Sequence, residues 1–210
     1  MIIDTNTSCS GKAAFLKGKG VTAVGRYYRE ATHPTWKISK TEAQELSQAG
    51  IDIFMVFEDY GKATDLVLTQ NQGKADGLSA LGQATAIGQP QGSTIYFAVE
   101  GLPNGYKTGD LPKIKDYFAG VKGAVGVKYA LGVYGDGVVC KTLLDDGTCK
   151  HTWLAAASCS FEGTCLFFAK GLFTLAQLPP LDLSTGWNGL SVDINHLNPN
   201  ISDFGAFKVP

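Results

Sequence analysis

The stretch Thr94-Ile95-Tyr96-Phe97-Ala98-Val99-Glu100 predicts a buried β-strand that ends in a carboxylate. Three other apolar runs end in an acid in the same way, and their terminal acids are Asp4, Glu58 and Asp193. A carboxylate at the end of a buried strand is costly unless water or a partner stabilises it. Four acids at equivalent positions therefore predict one shared polar site above a barrel, an arrangement typical of enzymes.

Short strand-like runs alternate with helix-like segments along the whole chain. The candidate strands are residues 1–4, 21–28, 51–58, 94–100, 129–134, 152–157, 173–177 and 190–195. Eight strands close a parallel barrel. We therefore expect an α/β fold, a compact (β/α)8 TIM-type barrel that occupies residues 1–210 as one domain, with short irregular units near the carboxyl terminus. An open doubly wound sheet is the alternative, but no Gly-rich phosphate turn follows the first strand.

Three helices have clear start or stop signals. The run Ser39-Lys40-Thr41-Glu42 is a capping box that opens a helix ending near Gly50. A second helix runs from about Asn71 to Gly88, and a third follows Asp110. The last fifteen residues either cover the bottom of the barrel or pack outside it.

The composition excludes several classes of partner. The net charge of −1 and the absence of a basic cluster give no surface suited to nucleic acid or an anionic membrane. No apolar run approaches the ~20 residues that span a bilayer, and Met1 leads directly into the first strand without a signal peptide. The chain is thus expected to be a trimmed mature form, a module of a longer protein, or the cargo of another export route.

Four of the five cysteines lie close together in the sequence. Bridges from Cys140 to Cys149 and from Cys159 to Cys165 are the simplest of the three possible pairings, whereas Cys9 stands alone. The cluster lacks the short spacings and histidines of a zinc site. Two bridges would indicate an oxidising compartment, and hence a secreted or extracytoplasmic protein, and the alternative is reduced thiols in a cytosolic protein.

The alternation of side chains along a strand predicts which acids meet. Tyr96, Ala98 and Glu100 share one face of their strand, and the same parity turns the other three acids inward. Strands one and eight adjoin in a closed barrel, which places Asp4 beside Asp193. Glu58 and Glu100 belong to the adjacent strands three and four, so two acid pairs are expected to face each other across the mouth.

Two carboxyl groups facing one cleft suit glycoside hydrolysis, which needs a protonated acid and a second group that supports positive charge on the sugar. We expect Glu100 to be the general acid, because partial burial raises a carboxyl pKa, with Asp4 and Asp193 as ionised partners. Other strand-end residues offer flat surfaces or hydrogen bonds to a sugar, although each could serve packing alone: Arg26, Tyr27, Tyr28, Tyr134, Trp153 and Gln177. Asp76 is expected to be a solvated helix residue unless its helix approaches the mouth.

Several short motifs resemble the glycoside-hydrolase-like domain family DUF1906, which is related to the family-25 lysozyme-like muramidases. They are Ile3-Asp4-Thr5, residues 24–28, residues 73–77, Ile95 to Glu100, residues 131–135, residues 152–155 and residues 192–195. This resemblance implies a (β/α)8 barrel that acts on bacterial cell-wall glycan, a peptidoglycan-type polysaccharide, with Asp4, Glu100 and Asp193 in the catalytic positions.

The chain departs from the muramidases at one position. They carry Asp-x-Glu at the end of strand four, where this chain has Ala98-Val99-Glu100. Either Glu58 or Asp193 replaces the missing acid, or the 2-acetamido group of the substrate does, or the domain is a non-catalytic glycan-binding module or weak relative. A hydrolase that binds a divalent metal through the acids is a further alternative, although we expect no metal or cofactor.

Overall fold

A computed structural model describes residues 1–30, 36–59, 66–155, 159–179 and 183–210. Eight strands form a closed barrel in which each strand pairs with its neighbours in chain order. The strands are β1 Ile2–Asp4, β2 Ala23–Tyr28, β3 Asp52–Phe57, β4 Thr94–Val99, β5 Ala130–Gly135, β6 His151–Leu154, β7 Leu175–Gln177 and β8 Asp193–Leu197. The TIM-type barrel predicted from the strand count is confirmed, and residues 156–157 of the sixth predicted strand lie outside the described residues.

Helices follow most of the strands. They are α1 Ala13–Gly18, α2 Lys40–Gln48, α3 Gln70–Ile87, α4 Leu111–Val125, α5 Gly137–Asp145 and α6 Thr164–Ala169, with a 3-10 turn over Thr108–Asp110. The three predicted helices are α2, α3 and α4. The Ser39 hydroxyl caps α2 by accepting from the Glu42 amide, and Gly88 ends α3 in the left-handed conformation.

Strand β8 differs from the prediction of eight parallel strands. It runs antiparallel to both β1 and β7, whereas β1 to β7 are parallel to one another. Among the described residues between β7 and β8 there is no crossover helix to carry the chain back to the bottom of the barrel. The chain therefore enters β8 from the mouth, and Asp193 lies at the first residue of its strand, not at the carboxyl end.

Two hydrophobic layers hold the barrel. The interior contains Phe54, Tyr96 and Trp153 in edge-to-face contact, together with smaller residues from most strands. A larger core lies between the barrel and the helices. The last residues close the bottom, because the Thr94 amide donates to the Gly205 carbonyl and the Tyr96 hydroxyl donates to the Phe204 carbonyl.

The helices α3 and α4 pack unusually closely through glycine. A Cβ atom on Gly73 would lie 1.9 Å from the Tyr117 carbonyl oxygen, so only glycine permits this approach. The close contact brings the Tyr117 hydroxyl within 2.7 Å of the Asp76 carboxylate, to which it donates. No helix in the described ranges is both long and apolar enough to cross a membrane.

We predict that Gly73→Ala destabilises the protein by about 1–3 kcal/mol, because the added methyl group overpacks a helix contact. Gly82→Ala on the same helix is the matched control, since nothing lies within 4 Å of its added methyl group. That control should gain roughly 0.5–1 kcal/mol from helix propensity. Urea unfolding of both variants measures the difference, and equal stabilities would contradict the packing argument.

The cysteines agree with the predicted pairing in part. Cys159 and Cys165 form a disulfide, whereas Cys9, Cys140 and Cys149 are buried free thiols. The predicted bridge from Cys140 to Cys149 is therefore wrong for this structure, where the Cys140 thiol instead donates to the Gly135 carbonyl oxygen at 3.3 Å.

Alkylation in denaturant without reductant should consequently label three cysteines. Mass spectrometry of the labelled peptides should locate the label on Cys9, Cys140 and Cys149. Labelling confined to Cys9 would show that the second bridge forms after all.

Candidate active site

The four strand-end acids meet at the mouth of the barrel. Register pairs Asp4 of β1 with Asp193 of β8, while Glu58 and Glu100 directly follow β3 and β4. Tyr27 of β2 lies among them: its hydroxyl bonds to Asp4, and the charges of all four acids act on its phenol. The barrel thus gathers carboxyl groups from four strands around one ring.

A hydrogen-bond network forms the floor beneath the acids. The Trp153 indole donates to Asn195 Oδ1 at 2.7 Å, and the Asn195 amide donates to Asp4 Oδ2 at 2.7 Å. From the other side, the Tyr134 hydroxyl donates to Gln177 Oε1 at 2.7 Å, and Gln177 Nε2 donates to Asp4 Oδ2 at 3.0 Å. The network fixes the orientation of both amides and aims two N–H donors at Asp4.

The amide of Gln177 also joins the two acids of the closing strands. Its Nε2 atom lies 3.2 Å from Asp193 Oδ2 as well as within bonding distance of Asp4. Gln177 is buried, as is Trp153, which has no exposed surface. Both residues thus support the acids from below, and their contact with a sugar stays a prediction.

Burial raises the pKa of the acids. The pKa of Asp4 rises from 3.8 to about 7, mainly through desolvation and further through the charge of Asp193, against the hydrogen bond from Asn195. Desolvation and then the charge of Glu100 raise the pKa of Glu58 from 4.5 to about 8. Desolvation followed by the charge of Asp136 raises that of Glu100 to about 7. Several carboxyl groups at the mouth therefore hold protons near neutral pH.

Two predicted binding residues do not face the mouth. Arg26 and Tyr28 alternate with Tyr27 along β2, so their side chains enter the outer layer. The Arg26 guanidinium bonds to Glu42 of α2 at 2.7 Å and to the Thr5 carbonyl, and the Tyr28 hydroxyl donates to Gln89. The prediction that they bind substrate at the mouth does not fit this placement, because side chains on a strand alternate between its two faces.

Three further residues belong to the site. Tyr27 is among the strand-end aromatic residues expected to offer a surface to a sugar, whereas Asn195 and Asp136 are not among the expected site residues. Asp136 directly follows β5, as the other acids follow their strands, and it is buried beside Glu100. The run Leu131-Gly132-Val133-Tyr134-Gly135-Asp136 had the same sequence signal as the four recognised runs.

Ala98 is a small residue near the end of β4 and borders a cavity. It lies two residues before Glu100 on the inner face and, with Phe57 and Asp76, lines a cavity of about 110 Å³. Helix α3 reaches this cavity through the Asp76 carboxylate, which accepts from the Tyr117 hydroxyl and the Gln72 side-chain amide. Within the described ranges, no three His, Cys, Asp or Glu side chains are arranged to hold a metal ion.

The raised pKa values of the buried acids predict that the stability of the protein depends on pH. The Glu58 carboxyl titrates at about 8 in the folded protein and near its ordinary 4.5 in the unfolded chain. Between these values the folded state keeps a proton that the unfolded state has lost, so stability falls as pH rises through this interval.

Glu58→Gln removes this titration and should raise the melting temperature at pH 8 but change it little at pH 4.5. Each kcal/mol corresponds to roughly 2–4 °C for a chain of this size. Calorimetry at both pH values measures the effect, with Asp145→Asn at an exposed helix pair as the control. An equal shift at both pH values would show that the proton on Glu58 is not the cause.

Comparison with known proteins identifies the family. Residues 14–192 match the model of the Rv2525c-like, glycoside hydrolase-like domain. The Bacillus subtilis protein YbfG is 29% identical over 195 residues, which cover 87% of this chain but 26% of the relative, so the chain spans about a quarter of that protein.

Solved structures share the fold. The Mycobacterium tuberculosis Tat-secreted protein Rv2525c, in complex with L-tartrate, has a TM-score of 0.79 at 20% identity, with 98% of this chain and 97% of that chain covered. A muramidase from Acremonium alcalophilum has a TM-score of 0.56 at 14% identity, with 95% and 96% covered. From the matched family model and the closed barrel, this chain belongs to the Rv2525c-like glycoside hydrolase-like domain family.

Proposed function

We propose that this domain is a glycoside hydrolase that cleaves bacterial cell-wall glycan of the peptidoglycan type. The observation that carries the proposal is the convergence of Asp4, Glu58, Glu100 and Asp193 around Tyr27 at the barrel mouth. A glycosidase needs a carboxyl group that is protonated at working pH and a second that is ionised across the cleft. Neighbouring acids with raised pKa values supply the first requirement, and the amide donors to Asp4 favour the second.

In this proposal Glu100 is the general acid. It donates its proton to the oxygen of the departing sugar as the glycosidic bond breaks, and the positive charge that develops on the ring is stabilised by Asp4 and Asp193. A water molecule then adds to the ring carbon and returns its proton to a carboxylate, which completes hydrolysis. The network of Gln177 and Asn195 holds Asp4 in place during this exchange.

Glu58 is proposed to replace the carboxylate that muramidases carry at the position of Ala98. The register pairs Phe57 with Phe97, so the following residues, Glu58 and Ala98, are neighbours across β3 and β4. Both belong to the inward-facing alternation of Val56 and Tyr96. The charges of Glu100 and Asp4 both raise the pKa of the Glu58 carboxyl group, which supports a position for Glu58 near both acids.

The comparisons support the substrate class. The protein from Acremonium alcalophilum that shares the fold is a muramidase. A secreted location is proposed from two further observations, the disulfide between Cys159 and Cys165 and the Tat-secreted Mycobacterium tuberculosis protein with the same fold. We also propose that residues 1–210 form a single domain.

Ala98 also supports a second function, a non-catalytic glycan-binding module. A site that keeps its cleft but lacks one carboxylate can bind a polysaccharide without cleaving it. One assay on purified sacculi separates the two functions, since a hydrolase releases new reducing ends and a binding module sediments with the sacculi unchanged.

We predict that Glu100→Gln lowers the release of reducing ends about 100-fold or more, since general acid catalysis contributes on this scale. Sedimentation with sacculi should be retained, because the amide keeps the size of the carboxyl group. Asp145→Asn is the control for an acid-to-amide change away from the mouth and should match the parent. Equal sedimentation with no release from the parent would favour the binding module.

The pH profile of the parent should follow the Glu100 proton. Because the pKa of Glu100 is raised to about 7, the acid is protonated below this pH and loses its proton above it. Asp4, whose pKa is also raised to about 7, must be ionised at the same time, so release of reducing ends should be fastest near pH 7 and should decline on either side of it. A rate that increases between pH 7 and 9 would contradict Glu100 as the general acid.

A further inference from the structure

The ends of β4 and β5 bring a second acid next to Glu100. The register pairs Ala98 with Tyr134 and Val99 with Gly135, and the next residues are Glu100 and Asp136. Both acids continue the inward-facing alternation, since Ala98 and Tyr134 lie in the barrel interior. The two carboxyl groups are therefore neighbours across adjacent parallel strands.

The loop that follows β4 holds Asp136 in place. The Tyr106 amide donates to Asp136 Oδ2 at 2.6 Å, and Asp136 is 1% exposed. Gly105 adopts a positive φ of 63°, and a Cβ atom there would lie 2.9 Å from the same carboxylate oxygen. Only glycine lets the loop come this close, so the carboxylate is enclosed by backbone.

The surroundings favour a negative charge on Asp136 over one on Glu100. Burial raises the pKa of Asp136, but the Tyr106 amide and the positive charge of Lys107 oppose that rise. Among the described residues, no such stabilising group acts on Glu100, whose pKa is raised by burial and by Asp136. As the pair titrates, Asp136 therefore loses its proton first.

We propose that Asp136 is a positioning residue for Glu100. Its carboxylate is a fixed negative charge that lies beside the Glu100 carboxyl group at the mouth of the barrel. This charge keeps the Glu100 carboxyl group protonated at neutral pH, the form that a general acid requires. The role in hydrolysis rests on the proposed function, whereas the pairing of the two carboxyl groups does not.

Other titratable groups also face Glu100. They are Tyr27 of β2, Glu58 of β3, Tyr134 of β5 and Tyr106 of the loop. The tyrosines stay neutral in the relevant range because burial raises their pKa values. Glu58 retains its proton to a higher pH than Glu100, so of the described residues that face Glu100 it is Asp136 that carries a charge first.

Carboxyl carbon-13 NMR of the folded protein tests the pairing directly, with the Glu100 signal assigned through Glu100→Gln. Asp136→Asn keeps an oxygen that accepts from the Tyr106 amide but removes the charge, so the Glu100 titration should move to lower pH. Asp136→Ser is a second variant, because Asp136 is the N-cap residue of α5 and serine also suits an N-cap. Asp110→Asn is the control, since its carboxylate accepts from the Lys107 amide of the same loop.

An unchanged Glu100 titration in a folded Asp136 variant, or an equal shift in Asp110→Asn, would overturn the proposal. If neither Asp136 variant folds, the parent alone decides. Two coupled acids give a Glu100 signal that moves in two steps as the pair titrates, whereas an independent acid gives one step, and one step overturns the pairing.

Activity measurements separate this inference from the proposed function. If the parent is active, Asp136→Asn should release reducing ends at the parent's rate at pH 5. At pH 8 its rate should be lower than the parent's by about threefold or more. A shifted titration with no activity in the parent would support the pairing and contradict the hydrolase. An active parent with an unchanged titration would contradict the pairing alone.

Discussion

The antiparallel pairing of β8 between β1 and β7 is the constraint on which the rest of the structure depends. It closes the sheet, so that no strand has an unpaired edge, and it brings Asp193 into register with Asp4. The same closure places Gln177 and Asn195 next to both acids. Without it, the carboxyl groups would be spread along an open sheet in water and would keep their ordinary pKa values.

The acids at the mouth are a cost to folding that the barrel tolerates. Desolvation is the largest influence on the pKa values of Asp4, Glu58 and Glu100, which rise to about 7, about 8 and about 7. Protonation removes most of that cost, because a neutral carboxyl group is far easier to bury than a charged one. The groups that make the site expensive to fold are the groups that could transfer a proton at neutral pH, as is common for buried catalytic acids.

The outer layer supports the site without reaching it. The buried pair of Arg26 and Glu42 links β2 to α2, and Glu42 also accepts from the Cys9 amide in the loop after β1. This ion pair mainly fixes the position of α2 against β2, since a buried ion pair contributes little net stability. In the neighbouring helices, the glycine contact between α3 and α4 holds Asp76 at the cavity beside Ala98. Rigid elements thus support the strands that carry the acids.

The sequence by itself determined the barrel class, the order of the elements and the inward direction of Asp4, Glu58 and Glu100, because alternation along a strand is a local property. It also contained the signal for Asp136, which follows its strand in the same way. Only the tertiary structure decided that β8 runs antiparallel, that Tyr27 and not Tyr28 faces the mouth, and that Gln177 serves the acids. These features depend on register and on contacts between residues far apart in the chain, which no local pattern encodes.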